Sequence, residues 1–352
     1  VSEVPVRVLL HLLRGAQPQS LLPRRDDLGK ARAVISAFPQ TYAQLALLGD
    51  KSFLFTEDAR AFLMYGVQGR SWVVMGDPVG PPEAAPELLW AFRAVCDEHD
   101  GRPVFYEIGV PHLPRYLDLG MTLLKLGEEG RVDLRAFSLE GSSKNGLRHI
   151  KSKLEREGCC FEILPTAGLE ESLPRLQEIS DSWLAATKTR EKRFSLGFFS
   201  PAYIRQFPVA VVIKNGYVVA FANILSAAAG TELSIDLMRY SPEAPGGVMD
   251  YLFIKLMEWG CANSYQWFSL GMAPFSGFEA RSLAPVWTRF GAFLFSHGEN
   301  FYNFQGLRQY KEKFDPVWSP RYLAAPGGFS LPLVLKDIAA LISGGVKGVI
   351  AK

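Results

Sequence analysis

The chain is poor in the side chains that build metal and redox centres. Its five histidines (His11, His99, His112, His149, His297) and four cysteines (Cys96, Cys159, Cys160, Cys261) are scattered over 352 residues. No C-x-x-C spacing occurs and no Cys/His set resembles zinc ligation. No metal site or bound cofactor is therefore expected, the compartment reads as reducing, and each histidine reads as a surface or packing residue. No apolar run of about 18 residues occurs, so no segment reads as membrane-spanning. The N-terminal "VPVRVLLHLLRG" is too short and too broken for a signal peptide. An excess of one charge is missing as well. The formal net charge is +2, so any site for a polyanion must be a local patch. The G-x-x-x-x-G-K phosphate loop, the G-x-G-x-x-G dinucleotide fingerprint and the G-x-S-x-G nucleophile elbow are all absent. "GSSKNG" has its glycines at the wrong spacing for the elbow. ATP use, hydride transfer and serine-type covalent catalysis thus lose their usual signatures.

What is present describes a folded α/β protein. Hydrophobic residues make up 48% and charged residues 21%, a globular balance, and the length exceeds what one ordinary core accommodates. Two similar halves are legible. In the first, "SFLFTE", "AFLMYGVQG" and "RSWVVMG" read as successive strands, followed by the loop "DPVGPPEAAP", a helix "ELLWAFRAVCDEHDG" and a strand "PVFYEIG". In the second, "VAVVIKNG", "YVVAFANILSA" and "ELSIDLMRY" precede the loop "SPEAPGG", the helix "VMDYLFIKLMEWGCANS" and the strand "YQWFSLG". A tandem duplication of a mixed α/β unit is the economical account.

Between the halves, "SSKNGLRHIKSKLEREG" reads as a helix. Lys144, Arg148 and Lys151 share one face and Leu147, Ile150 and Leu154 another. Ser142 or Ser143 is placed to cap its start and Gly158 to end it. Further basic clusters occur at Lys188, Arg190, Lys192 and Arg193, and at Arg308, Lys311 and Lys313. Such local patches in a near-neutral chain suit a phosphate-rich partner, although a charged helix is also an ordinary solvated face. The C-terminal "LPLVLKDIAALISGGVKGVIAK" reads as an apolar helix, docked on the core or lying on a membrane.

The segment "ELSIDLMRYSPEAPGGVMDYLF" poses the functional question. Leu233, Ile235 and Leu237 alternate with Ser234, Asp236 and Met238, so Asp236 points away from the buried face. Asp236 and Arg239 are three apart and lie on opposite faces of a regular strand. They serve one cleft only if the strand bulges or ends between them. A bulge there, before a loop and helix, is the N-acetyltransferase-like device for splaying central strands. The coenzyme A fingerprint fails, since its glycine would fall at Pro242. From the residues alone, Asp236 stays open between reagent, anchor and surface ion-pair partner.

Several stretches then resemble a known family. "IDLMRY", "GVMDYLFIKLMEWG", "FSLGMAP", "EKRFSLGFF", "NFQGLRQYKEKFDPVWSPRYLA", "LLGDKSFLF" and "VVMGDPVG" look like the C-terminal domain of bacterial phosphatidylglycerol aminoacyltransferases, the multiple peptide resistance factors, over residues 28 to 326. The resemblance implies tandem N-acetyltransferase-like (GNAT-like) domains joined by a basic helix. Its boundaries are a juxtamembrane segment 1–27, a first domain 28–141, the linker helix 142–158, a second, catalytic domain 159–326 and a C-terminal apolar helix 327–352. It implies transfer of an aminoacyl group from aminoacyl-tRNA to a glycerol hydroxyl of phosphatidylglycerol, with alanyl favoured over lysyl and the choice between them left open by these residues. The membrane would become less anionic and less attractive to cationic antimicrobial peptides.

Asp236, Arg239 and Lys311 match the family's catalytic motifs. Asp250, Ser269, Glu279 and Arg308 are candidates for substrate binding. Lys144, Arg148, Lys151, Lys188, Arg190, Lys192 and Arg193 are candidates for tRNA binding. The family's membrane domain does not occur in this sequence. The resemblance therefore implies a soluble fragment working at the cytoplasmic face of the bacterial inner membrane, with that membrane domain as partner. The rival readings are a peptidoglycan-precursor aminoacyltransferase, a small-molecule acetyltransferase and a non-catalytic tRNA- or lipid-binding module.

Overall fold

A computed structural model of the chain describes residues 22–277 and 304–344. From the N-terminus run α1 (Arg25–Ile35), a 3-10 segment (Thr41–Leu48), β1 (Ser52–Phe55), β2 (Phe62–Gln68), β3 (Ser71–Met75), α2 (Ala85–Glu98), β4 (Arg102–Gly109), α3 (Leu113–Asp118) and β5 (Thr122–Asp133). Next come α4 (Asn145–Arg156), β6 (Cys159–Leu164), α5 (Leu173–Thr187), α6 (Pro201–Ile204), β7 (Val209–Lys214), β8 (Tyr217–Ser226) and β9 (Glu232–Tyr240). The chain continues with α7 (Val248–Ala262), β10 (Trp267–Pro274), α8 (Phe304–Glu312), β11 (Val317–Ala325) and α9 (Leu331–Ile342). The described residues divide into two compact units, residues 22–34, 49–124 and 322–344, and residues 35–48, 125–277 and 304–321.

In the first unit β1, β2 and β3 form an antiparallel meander and β4 lies parallel to β3. The parallel register holds for five pairs, Ser71↔Arg102 to Met75↔Tyr106. Parallel neighbours need a crossover, and α2 supplies it. Leu88, Leu89, Phe92 and Cys96 share one helical face and are buried. Phe92 packs edge-on against Tyr65, Trp72 and Phe105. Just past β3, buried Asp77 accepts hydrogen bonds from Gly109 N–H (2.8 Å) and Tyr116 OH (2.9 Å), tying the ends of β3 and β4 together. Helix α9 packs on β2 and β3. Its Asp337 accepts Ser71 Oγ at 2.6 Å and pairs with Arg102 at 3.4 Å.

In the second unit β6, β7, β8 and β9 are antiparallel neighbours, β10 is parallel to β9, and β5 is antiparallel to β10. The β7–β8 turn is Asn215-Gly216, both at positive φ (53° and 79°), the geometry a two-residue hairpin turn requires. Helix α7 is the crossover between β9 and β10. Tyr251, Leu252, Ile254 and Leu256 of α7 join Leu147 and Leu154 of α4 and Phe268 of β10 in one core. The expected order of meander, helix and parallel strand thus occurs twice, and the fold is the tandem N-acetyltransferase-like α/β arrangement.

The units divide differently from the boundaries read in the sequence. Residues 35–48 belong to the second unit, where Thr41 Oγ1 donates to Glu232 (2.6 Å) and Gln44 to the Ser226 carbonyl (2.5 Å). The linker helix also belongs there, because Leu147 and Leu154 are core residues. Residues 322–344 return to the first unit. Gly158 ends α4 at φ 80°, but no serine side chain caps its start. No helix among the described residues is long and apolar enough to cross a membrane.

Candidate active site

The decisive irregularity is in β9. Its register with β8 runs Ala222↔Met238 and then Ile224↔Ile235, so Asp236 and Leu237 together face the single residue Asn223. This is a β-bulge, and one extra residue reverses the alternation beyond it. Leu233 and the half-buried Ile235 pack beneath α7, whereas Leu237, as buried as Leu233, lies outside that cluster. The inward alternation read through Leu237 therefore stops at Ile235. Asp236 and Arg239 now turn to a common segment, residues 183–203. Gly197 N–H donates to Asp236 Oδ1 (2.8 Å) and Tyr203 OH to Oδ2 (3.0 Å). Arg239 Nη2 donates to Glu191 (3.0 Å), and its guanidinium lies 4.2 Å from the centre of the Trp183 ring. Burial lowers the pKa of Arg239 from its usual value, while the nearby Glu191 and Asp236 charges oppose that shift. Its Nε is buried with no hydrogen-bond partner among the described residues.

A second bulge faces the first. β9 and β10 pair from Glu232↔Trp267 to Ser234↔Ser269, where their register ends. On β10, Ser269 opposes Arg131 and Met272 opposes Glu129, leaving Leu270 and Gly271 across from Gly130. Lys311 holds this bulge. It is 7% exposed, and its Nζ donates to the carbonyls of Gly271 (3.0 Å) and Met272 (2.8 Å). Ser269 Oγ donates to Glu129 (2.9 Å) and accepts Gly271 N–H (3.2 Å). Ser234 Oγ bonds the Ser269 carbonyl at 3.1 Å, closing the fork between the strands.

The remaining candidates fall in three groups. Asp250 is buried in the first turn of α7 and pairs with Lys313 (3.1 Å). Arg308 pairs with Glu128 and lies 4.2 Å from the Trp318 ring centre. Burial alone would raise the Glu128 carboxyl, but Lys125 and Arg308 outweigh it and hold its pKa below the usual value. Glu279 lies outside the described residues.

The two basic clusters differ. Lys144 is buried, donating to the Lys313 carbonyl (2.7 Å) and pairing with Asp315 (2.6 Å). Arg148 bonds the carbonyls of Leu139 and Gly141 and the side chain of Asn145, and Lys151 pairs with Glu258 (2.6 Å). On that face Lys144 is buried by protein partners, while Arg148 and Lys151 are half-exposed and bonded to neighbouring groups of the protein. A cleft of about 560 Å³ beside it, lined by Phe137, Arg148, Lys151 and Cys261 among others, does not include Asp236. Lys188, Arg190, Lys192 and Arg193 are exposed, on the same loop that carries Glu191 and Gly197.

Asn223, Glu191, Gly197 and Tyr203 were not singled out from sequence. The available signals were asparagine in the apolar run "VVAFANIL" and the family-like stretch "EKRFSLGFF", which contains Glu191 and Gly197.

The bulged strand pair, with Asp236 and Arg239 beside it, is the candidate active site of this tandem N-acetyltransferase-like fold. The family model described as "Phosphatidylglycerol lysyltransferase, C-terminal" matches residues 32–325. The chain belongs to this family. It is 39% identical over 303 residues to the phosphatidylglycerol lysyltransferase of Bacillus subtilis strain 168, covering 85% of this chain and 35% of that protein. The Staphylococcus aureus MRSA252 protein of the same name is 34% identical over 300 residues, covering 85% and 36%. The chain spans about a third of the length of these curated relatives. The solved structure of L-PGS from Bacillus licheniformis is similar at a TM-score of 0.80 and 37% identity, covering 92% of this chain and 99% of that one. A FemX crystal structure shares the fold at a TM-score of 0.54 and 9% identity, covering 90% and 99%.

Proposed function

We propose that the second unit transfers an aminoacyl group from aminoacyl-tRNA to a glycerol hydroxyl of phosphatidylglycerol. The observation that carries the reading is the β9 bulge, which turns Asp236 and Arg239 onto one face beside the fork of β9 and β10. The family and the names of its members supply the substrate class. An aminoacyl ester is already activated, so transfer needs positioning, proton movement and charge stabilisation. The hydroxyl oxygen bonds to the acyl carbon, the ester bond to the tRNA ribose breaks, and the hydroxyl proton ends on the departing ribose oxygen, which leaves as a hydroxyl.

Asp236 is held on both oxygens by donors, and a carboxylate has further acceptor capacity. It holds the donor's ammonium or takes the hydroxyl proton. Arg239 offers a buried N–H to the developing oxyanion or a phosphate. Lys311 supports the β10 bulge through Gly271 and Met272 in this reading, and does not itself meet a phosphate. Asp250 and Arg308, both ion-paired, shape the surroundings, and Ser269 orients the β10 turn. The exposed Lys188, Arg190, Lys192 and Arg193 meet the tRNA backbone. The reaction belongs at the cytoplasmic membrane face, where charged tRNA meets lipid, and the rest of a full-length protein would supply the membrane anchor. The relatives' names carry lysyl, which favours a lysyl donor over the alanyl donor expected from sequence.

The test is incubation of the chain with tRNA charged with labelled lysine or alanine, in parallel, and detergent-dispersed phosphatidylglycerol. Label should enter the lipid, faster from lysyl-tRNA. No label in the lipid, with or without label entering a soluble cell-wall precursor supplied in a parallel incubation, overturns the reading.

A further inference from the structure

From Val219 to Leu225 every residue of β8 is buried, and Asn223 is the one amide among them, at 0% exposure. A buried amide in an apolar strand is unfavourable unless its groups are paired. Asn223 pairs one of them. Its Oδ1 accepts the Leu237 N–H at 2.7 Å. That N–H belongs to the bulge, where two residues of β9 face one of β8 and the ladder is interrupted. The other half of the amide, Nδ2, is buried with no hydrogen-bond partner among the described residues. Leucine at 223 would remove that orphan donor, but it would strand the Leu237 N–H instead. The asparagine is therefore matched to the bulge and not to the core around it.

We infer that Asn223 is a positioning residue for the transfer reaction. By taking the Leu237 N–H it fixes the extra residue in β9, and the extra residue decides which face Arg239 occupies relative to Asp236. A one-residue slip sends every later side chain to the opposite face. Without the clasp, Arg239 leaves the Trp183 and Glu191 side while Asp236 keeps its Gly197 and Tyr203 bonds. The inference rests on the proposed aminoacyl transfer for its catalytic consequence. The clasp itself is a matter of backbone geometry.

Two measurements on the full chain test it. Amide hydrogen exchange should show Leu237 protected in the wild type and about tenfold or more faster in Asn223→Ala relative to β7 amides. Transfer kinetics should show Asn223→Ala lowering kcat by about 10²-fold, the cost of misplacing a reacting group by about 1 Å. In an Asp236→Asn background the same substitution should cost less than about threefold, because residues that act as a unit are not additive. If Asn223→Ala does not fold, Asn223→Ser replaces it in both measurements. Unchanged Leu237 exchange overturns the clasp whether or not the protein transfers anything. Wild-type kcat in a variant whose Leu237 exchanges fast, or a full 10²-fold cost repeated in the Asp236→Asn background, overturns the positioning role. If the wild type transfers no label, the proposed function fails, and Leu237 exchange alone decides the clasp.

Discussion

Gly197→Ala adds one methyl group where the loop touches the acid. A Cβ at this position would overlap Asp236 Oδ2 outright and stand 2.6 Å from Asp236 Cγ and 2.9 Å from Oδ1. Non-bonded carbon contacts lie at about 3.5 Å or more, so the carboxylate or the loop must move by at least about 1 Å. The Gly197 N–H and Tyr203 OH bonds to Asp236 are 2.8 and 3.0 Å long. A shift of that size takes at least one of them past the range of a hydrogen bond, about 3.5 Å. A 1 Å misplacement costs on the order of 10²-fold in rate, equivalent to about 2.7 kcal/mol of barrier. Folding should survive, because the strain falls on a loop and a half-buried side chain and not on the unit's core. The assay is transfer of labelled lysine from tRNA to phosphatidylglycerol, run beside a thermal melt. The expected result is a folded variant with kcat reduced about 10²-fold and a melting point a few degrees lower. A folded Gly197→Ala that transfers within twofold of wild type refutes the claim that Asp236 must sit where Gly197 and Tyr203 hold it.

Other substitutions separate the site from its scaffold. Replacing Lys188, Arg190, Lys192 and Arg193 with alanine should lower the log–log salt slope of tRNA binding by about 0.7 to 0.9 per lost phosphate contact. The same change at Lys144, Arg148 and Lys151 should leave the slope alone and lower the melting point, and the reverse pattern would return tRNA binding to the linker helix. Asp77→Ala removes the carboxylate that accepts from the Gly109 N–H and the Tyr116 hydroxyl, so stability should fall by about 3 kcal/mol in denaturant titration with transfer per folded molecule unchanged. An unchanged midpoint would refute that seal. Glu128 has a folded pKa below its ordinary value of 4.5, so its stabilisation is present above about pH 4.5 and is lost as pH falls through the lower folded value. Glu128→Gln should therefore melt lower than wild type at pH 7 and converge with it in acid. A gap that persists in acid would show that the ion pairs are not the cause.

Much of the architecture was legible because it rests on local pattern. Period-two alternation in "ELSIDL", turn chemistry at Asn215-Gly216 and the apolar face of "ELLWAFRAVC" are carried by neighbours in sequence. The need for a bulge between Asp236 and Arg239 was also legible, since two side chains three apart cannot otherwise share a face of a strand. What fills the bulge was not. Asn223 lies on another strand, and Gly197, Glu191 and Tyr203 belong to a loop and a short helix whose approach is set by tertiary packing. The burial of Lys144 in the linker helix was hidden for the same reason. Lys144 carries the charge of a solvated residue, yet the Lys313 carbonyl and Asp315 that bury it lie some 170 positions on, outside any local pattern. Lys311 belongs with it, since a lysine spent on two backbone carbonyls looks in sequence like a lysine waiting for phosphate.

The central claim is that Asp236, aimed by the bulge, performs the transfer, and Asp236→Asn tests it most directly. The substitution keeps the side chain's shape and an oxygen for the Gly197 N–H while removing the charge. Labelled lysine passing from tRNA to phosphatidylglycerol should fall by about 10²- to 10⁴-fold. The melting curve should move by no more than the equivalent of about 1 kcal/mol. A folded Asp236→Asn protein that transfers lysine at the wild-type rate would contradict the account.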